Sequence, residues 1–511
     1  MSWEKIVMTV SMVSYLIVVL CIGLIYMRRN KTSSDFFLGG RKLGPLVAAM
    51  SAEASDMSSW LLMGLPGLAY LSGFSEASWT AIGLALGTYI NWIVVAKRLR
   101  RYTVVADNSI TLPDFFSNRF HDKNKILMSI SALIILVFFI PYTASGFAAC
   151  GKLFNSVLGL SYPVAMLISA LVIILYTVIG GFLAESATDL IQGILMSTAL
   201  VVVLGYGISL AGGIGNVIED TGSLPGFTSL FSTFDPKTNS ATPFGFVPII
   251  STLAWGLGYF GMPHILLRFM AIRKEGELKT SRRIAIVWVV ISLFAAVMIG
   301  IVGFTAVKDI NDPETIFIEL SQRLGGSNVI TLLLAGLILA GILAATMSTS
   351  DSQLLVASSS ISRNFYKGLI NKNASDKTVM IISRATVVVI AIISIFIAWN
   401  PDSSIFEIVS FAWAGFGAAF GPVILFSLFW KRTTLYGALA GMLSGGISIF
   451  VWKFLVAKYI GKYISILNIY ELLPAFIIAS LAIVIVSLLG KEPSKEIQDQ
   501  FDLVASKQPI E

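Results

Sequence analysis

The chain has 511 residues, 56% of them hydrophobic and only 13% charged, with a mean hydropathy of +0.83, against the roughly 45–50% apolar content of soluble domains. This excludes a soluble globular protein and predicts an all-α polytopic membrane protein. The net charge of +7 implies no nucleic-acid partner, since Lys and Arg mark the cytoplasmic side of a membrane protein, and Cys21 and Cys150, both in apolar runs, suggest neither a disulfide framework nor a cysteine metal site.

Apolar runs of spanning length fall near residues 6–27, 45–71, 75–96, 126–156, 161–180, 185–211, 244–266, 284–307, 328–360, 379–399, 403–430, 434–456 and 467–490, which predicts about thirteen transmembrane helices. The first run is of full spanning length, so no cleavable leader is expected. Basic residues gather in alternate connections: Arg28, Arg29, Lys31, Arg41 and Lys42; Lys97, Arg98, Arg100, Arg101 and Arg119; Arg268, Arg273, Lys274, Lys279, Arg282 and Arg283; Arg363, Lys367, Lys372 and Lys377; Lys431 and Arg432. With an odd number of spans this places the N-terminus outside and the C-terminus in the cytoplasm of a cell (plasma or inner) membrane protein. The connection holding Lys453, Lys458 and Lys462 is the exception. Residues 491–511 read as a short polar cytoplasmic tail with no room for a binding domain.

The second span is interrupted by Ser51-Ala-Glu53-Ala-Ser-Asp56-Met57-Ser58-Ser59-Trp60, two carboxylates and four hydroxyls in its middle. An acid at the centre of a membrane helix costs roughly 2.5–3.5 kcal/mol on insertion scales, so such residues face a cavity and act on a cation or a solute. The seventh span is broken by Trp255-Gly-Leu-Gly-Tyr-Phe-Gly-Met-Pro263-His264. Two broken spans five apart predict two five-span units of opposite topology, with residues 45–211 as the first and 244–430 as the second. Residues 1–44 then form an extra helix and linker, and 431–490 two C-terminal helices. The ninth span carries Thr346-Met-Ser348-Thr349-Ser-Asp351-Ser352, where Ser348, Asp351 and Ser352 share a helix face. Hydroxyls and unwound carbonyls suit sodium, a hard cation that takes several oxygen ligands. Single hydroxyls in membrane helices more often bond back to their own backbone.

Phe37-Leu-Gly-Gly-Arg-Lys-Leu-Gly-Pro, Ser55-Asp-Met-Ser-Ser-Trp-Leu-Leu-Met-Gly-Leu-Pro, Trp255-Gly-Leu-Gly-Tyr-Phe-Gly, Ala344-Ala-Thr-Met-Ser-Thr and Phe411-Ala-Trp-Ala-Gly-Phe-Gly-Ala-Ala-Phe-Gly-Pro together resemble the solute:sodium symporter family, over residues 35–491 and in order. Within it they are closest to members that carry proline. The resemblance implies a 5+5 inverted-repeat (LeuT-like) core. It implies a sodium site from the carbonyls of Ala54, Met57 and Ala345 and the hydroxyls of Ser348 and Thr349, with Asp56 as the acid tied to sodium use. A second cation position would fall near Asp189, Ser348, Asp351 and Ser352. Proline would meet Ser58, Tyr142, Trp255 and Tyr259. By the same resemblance sodium would be the coupling ion; no organic cofactor and no protein partner is expected beyond the lipid bilayer.

Glu53, Glu185 and Asp351 stand where such proteins carry small, hydroxyl or apolar residues, and Met262 replaces a glutamine. Clustered carboxylates repel one another, so these acids predict altered cation use: a tighter or second sodium site, or partial proton coupling. The competing expectation is that Glu53 or Glu185 pairs with a base at a membrane edge. His264 is expected to help close the broken helix, and His121 to sit in a polar loop. The alternatives are a symporter of another small amino acid or a carboxylate, and, from other classes, a channel or a sensor. No H-E-x-x-H, G-x-S-x-G or P-loop pattern is present, so an enzyme is not expected.

Overall fold

Residues 2–27, 32–326 and 328–506 are described by a computed structural model, in which the apolar runs are helices. They begin with α1 (Trp3–Met27), the short α2 (Ser33–Leu38), α3 (Pro45–Met57), α4 (Leu65–Ser72) and α5 (Phe74–Val105). After α6 (Leu112–Arg119) come α7 (Ile126–Leu158), α8 (Tyr162–Gly180), α9 (Phe182–Leu210) and α10 (Ile214–Gly222). An antiparallel hairpin, β1 (Ser232–Asp235) with β2 (Ser240–Pro243), interrupts the otherwise helical chain. Then follow α11 (Phe246–Leu253), a 3₁₀ stretch (Ala254–Phe260), α12 (Pro263–Ala271), α13 (Leu278–Ala306), α14 (Ile316–Gly325) and α15 (Val329–Ser359). The chain closes with α16 (Asp376–Ile397), α17 (Ile405–Phe429), α18 (Leu435–Val451), α19 (Leu472–Leu489) and α20 (Lys495–Ala505).

Among the described residues eleven helices are long and apolar enough to cross a membrane, or twelve when the pair across Gly261–Met262, bent by 44°, counts as one. Residues 45–72, expected as one span, form two shorter pieces, α3 and the helical stretch Trp60–Ser72, neither long enough to cross alone, because the break and its carboxylates interrupt the apolar run. Ile6, Val10 and Ile17 of α1, Leu171 and Leu175 of α8, Val389 and Phe396 of α16 and Ile485 and Leu489 of α19 are exposed, as a lipid-facing belt requires. The hydroxyl-rich half of α15 is buried without interruption from Ile338 to Ser359, so its polar groups face only protein.

Close backbone approach sets the core. A Cβ on Gly87 of α5 would lie 2.4 Å from the Gly256 Cα, and one on Gly258 would lie 1.9 Å from Trp413 Nε1. The 3₁₀ stretch is therefore clamped between α5 and α17 by residues that only glycine can occupy.

The basic clusters gather at one end of the bundle. Arg41 reaches the carbonyls of Met270 and Ser109 (2.6 and 2.8 Å), Arg98 that of Leu428 (2.6 Å), and Arg100 that of Ile272 (2.8 Å). Arg28, Arg29 and Lys31 lie outside the described residues. Two readings of the sequence are corrected. Arg268, counted among the loop bases, is fully buried within α12. The polar tail is partly the helix α20, whose Ile497 and Val504 are buried and whose terminal carbonyls at Val504 and Ser506 accept from Arg101 at 3.0 and 2.9 Å; residues 507–511 lie outside the described residues.

Candidate functional site

Helix α3 ends where Ser58 adopts φ 47°, ψ −173°, a region side chains rarely enter and which costs about 1–3 kcal/mol. The break leaves the last carbonyls of α3 without intrahelical donors. Ser348 of α15 lies across from it, its Oγ 2.8 Å from the Ala54 carbonyl and 3.1 Å from that of Ala345. A hydroxyl has one proton and serves only one of these oxygens at a time. The next hydroxyl, Thr349 Oγ1, is buried and has no hydrogen-bond partner among the described residues. The structure thus gathers Ala54, Ala345 and Ser348, with Thr349 beside them and Met57 at the helix end. This neutral, all-oxygen set fits a hard monovalent cation.

The other side of the same break meets the second broken span. Tyr259, in the 3₁₀ stretch, donates its phenol to Asp56 Oδ2 at 2.5 Å, and Tyr142 of α7 donates to the Asp56 carbonyl at 3.3 Å. Ser58 Oγ accepts from the Trp60 N–H at 3.1 Å. The Trp60 ring stacks on Trp255 (centroids 5.5 Å apart), and Phe406 closes against both, 6.0 Å from Trp60 and 5.2 Å from Trp255. Tyr470 stacks on Trp255 at 5.4 Å, and Trp413 Nε1 donates to the Trp255 carbonyl at 2.7 Å. The four residues expected to meet a solute therefore lie around one break, walled by aromatic faces with a carboxylate within reach. Trp60, Phe406, Trp413 and Tyr470 complete the wall. Trp60 had a sequence signal, an aromatic two residues after the break; Phe406 and Tyr470, on the α17 and α19 sides, had none.

Of the expected second cation position, Asp189 and Ser352 meet Arg268, which also pairs with Glu185. Its guanidinium bonds Glu185 Oε1, lies 3.2 Å from Asp189 Oδ2, and donates to Ser352 Oγ at 2.7 Å, Ser51 Oγ at 3.0 Å and the His264 carbonyl at 2.9 Å. Glu185 thus has a basic partner, in the protein core rather than at a membrane edge. Ser348 faces α3 instead, and Asp351 bonds Thr177 of α8. Asp189 Oδ1 and Asp351 Oδ2 have no partner among the described residues. Glu53 takes the Trp92 indole N–H at 3.0 Å. Met262 and His264 are fully buried, His264 with its ring 5.6 Å from that of Phe139; His121 lies in a connection, 3.6 Å from Glu496.

Phe406 also lines a cavity of about 530 Å³ walled by Lys152, Asp312, Glu314 and Glu407. Glu314 accepts from Ser404 Oγ (3.0 Å) and from the Ile405 and Phe406 N–H groups (both 3.1 Å), capping α17, while Lys152 holds Glu314 at 2.9 Å and Asp312 at 2.8 Å. Glu314→Ala removes the cap and one of the two carboxylates that hold Lys152, leaving Asp312 as its partner. It is expected to destabilise the protein by about 1–3 kcal/mol, measured as a lower midpoint of thermal unfolding in detergent. Adding Lys152→Met should then cost little more, as for two residues acting through one contact.

Three comparisons bear on this arrangement. The model of the Sodium:solute symporter family matches residues 36–445. The Sodium/proline symporter of Escherichia coli (strain K12) is 45% identical over 502 residues, which cover 97% of this chain and 95% of that one. The High-affinity proline transporter of Bacillus subtilis (strain 168) is 44% identical over 487 residues, covering 94% and 98%. The solved structure of a Na+-coupled sialic acid symporter, substrate-bound and outward-open, is 21% identical and superimposes with a TM-score of 0.77 over 96% of this chain and 98% of that one; it shares the fold.

Proposed function

The chain belongs to the sodium:solute symporter family, and from that premise we propose that it takes up L-proline by alternating access, driven by sodium. The observation that carries the proposal is the break at Ser58, which has carbonyl and hydroxyl oxygens on one side and an aromatic, carboxylate-edged wall on the other. Relatives that are 45% and 44% identical over nearly the whole chain bear the names of proline carriers.

In this reading sodium, the co-transported ion, is held by the carbonyls of Ala54, Met57 and Ala345 and the hydroxyls of Ser348 and Thr349. Proline is a zwitterion with an apolar ring. Its ring lies against Trp255 and Tyr259 under Trp60 and Phe406, and its charged groups meet Ser58, Tyr142 and the polar backbone of the break. Asp56 links the two sites: its carbonyl and side chain are tied to Tyr142 and Tyr259, while its neighbours Ala54 and Met57 face the cation. A ligand on either side fixes the same backbone, so each raises the other's affinity. Residues 45–211 and 244–430 are the two halves that rock about this centre. The N-terminus lies outside and the C-terminus in the cytoplasm, a reading supported by the basic clusters at one end.

One sodium moved inward with one neutral zwitterion gains about 2.3 kcal/mol per 100 mV, and a tenfold sodium gradient adds about 1.4 kcal/mol, enough together for a solute gradient of about 500-fold. The test is binding of radiolabelled proline to the purified protein. Binding is expected in sodium and absent in potassium, and Trp255→Ala is expected to weaken it by about tenfold or more, the scale of losing one stacked aromatic wall of about 1.5 kcal/mol. Equal binding in both salts would overturn the coupling, and tighter binding of another amino acid or a carboxylate would overturn the cargo.

A further inference from the structure

Glu53 and Asp56 lie one turn apart on one side of α3 and are 1% and 4% exposed. Unlike Glu185 and Asp189, which share Arg268, neither makes an ion pair with any base among the described residues. Helix α5 presents Thr88, Asn91 and Trp92 to the same place, at i, i+3 and i+4. Trp92 Nε1 donates to Glu53 Oε1 at 3.0 Å, and Asn91 Nδ2 donates to the carbonyl of Tyr259 at 3.0 Å, whose phenol in turn holds Asp56; Thr88 lies beside that phenol. With these bonds made, Glu53 Oε2 and Asn91 Oδ1 have no hydrogen-bond partner among the described residues, Thr88 Oγ1 has at most a long contact to the Tyr259 phenol, and all three are sealed from solvent. Buried polar atoms in native proteins are nearly always paired, and two buried acids with no base beside them need either a proton or a cation to offset their charge.

We propose that Glu53 Oε2, Asn91 Oδ1 and Thr88 Oγ1, with Asp56 adjoining, bind a second sodium ion between α3, α5 and the 3₁₀ stretch, separate from the ion held between α3 and α15. Every leftover group is an oxygen, and a hard cation satisfies several oxygens together, whereas a proton would serve a single pair. The site touches Tyr259 through Asn91 and Thr88, so its occupancy steadies the aromatic wall of the solute site. The inference deepens the proposed sodium-coupled uptake and rests on it.

The experiment is uptake of radiolabelled proline by the full chain in liposomes as a function of sodium concentration, at two external pH values, for the native protein, Glu53→Gln and Thr88→Ala. The native protein is expected to respond to sodium with a Hill coefficient near 2, and Glu53→Gln with one near 1, at about equal steepness at both pH values. Thr88→Ala, which leaves the charges in place, is expected to shift the half-saturating sodium concentration upward about three- to tenfold, the scale of losing one oxygen ligand of about 1 kcal/mol. A Hill coefficient near 1 in the native protein, or a steepness unchanged by Glu53→Gln, overturns the second ion while leaving sodium-driven proline uptake intact. An unchanged sodium response with altered pH dependence in Glu53→Gln assigns the site to a proton and also overturns it. Absence of sodium-driven proline uptake by the native protein is the separate failure of the underlying reading.

Discussion

Arg268→Met is expected to be the most damaging single substitution in the core. It leaves Glu185 and Asp189 as buried neighbours with no counter-charge, and removing one partner of a buried pair costs about 3–5 kcal/mol. Arg268 is fully buried and bonds five groups on four helices: Ser51 of α3, Glu185 and Asp189 of α9, Ser352 of α15 and the His264 carbonyl of its own α12. The expected result is loss of most folded, monodisperse protein on extraction, with a sharply lower thermal midpoint in what remains. Arg268→Lys restores the charge but not the planar fork of donors, and should recover only part. Combining Arg268→Met with Glu185→Gln should recover stability relative to Arg268→Met alone, because one stranded carboxylate is removed. Additive losses in that double variant would mean that Arg268 and Glu185 do not act as a pair.

Ser348→Ala carries the second large effect, and it falls on the ion rather than the fold. The substitution removes an oxygen from between the Ala54 and Ala345 carbonyls while keeping the packing volume nearly unchanged. Apparent sodium affinity in proline uptake is expected to fall about ten- to a hundredfold, corresponding to about 1.4–2.7 kcal/mol, with the maximal rate largely recovered at high sodium. Thr349→Ala is expected to act in the same direction. With solute and ion sharing the break at Ser58 as proposed, both variants should also weaken proline binding at low sodium and approach native affinity at saturating sodium. Full sodium affinity in both variants would remove the α3–α15 site from the account.

The two variants probe features of unequal legibility in the sequence. The polar groups that meet at the break were legible because polar groups in an apolar run are conspicuous: Ser348 and Thr349 stand in the ninth span, and Asp56 and Ser58 in the second. The broken spans were legible from Gly, Ser and Pro crowding, and the helix ends are set by those residues, with Pro45 and Pro263 in the first turns of α3 and α12 and Ser58 at the break. Arg268 was not legible. It follows an apolar stretch and precedes Arg273 and Lys274, so its charge reads as the start of a loop; only the packing of α12 against α3, α9 and α15 shows it inside the core. Helix α20 was missed for a related reason. Its three apolar anchors, Ile497, Phe501 and Val504, are spaced at one helix face but diluted among charges, and they gain meaning only from the arginines they dock against. The aromatic wall likewise assembles from distant segments, and nothing local to Phe406 or Tyr470 announces the contact with Trp255. The small hairpin β1–β2 lies in a polar connection that hydropathy does not resolve.

The central claim is that a sodium gradient alone concentrates proline through this protein. The direct measurement is uptake of radiolabelled proline into liposomes containing the purified full chain, with sodium and proton gradients imposed separately and the membrane potential clamped. The account predicts concentrative uptake with an inward sodium gradient at equal pH, increased by an inside-negative potential and abolished when potassium replaces sodium. Uptake driven by a proton gradient without sodium, or no proline accumulation under either gradient, would contradict it.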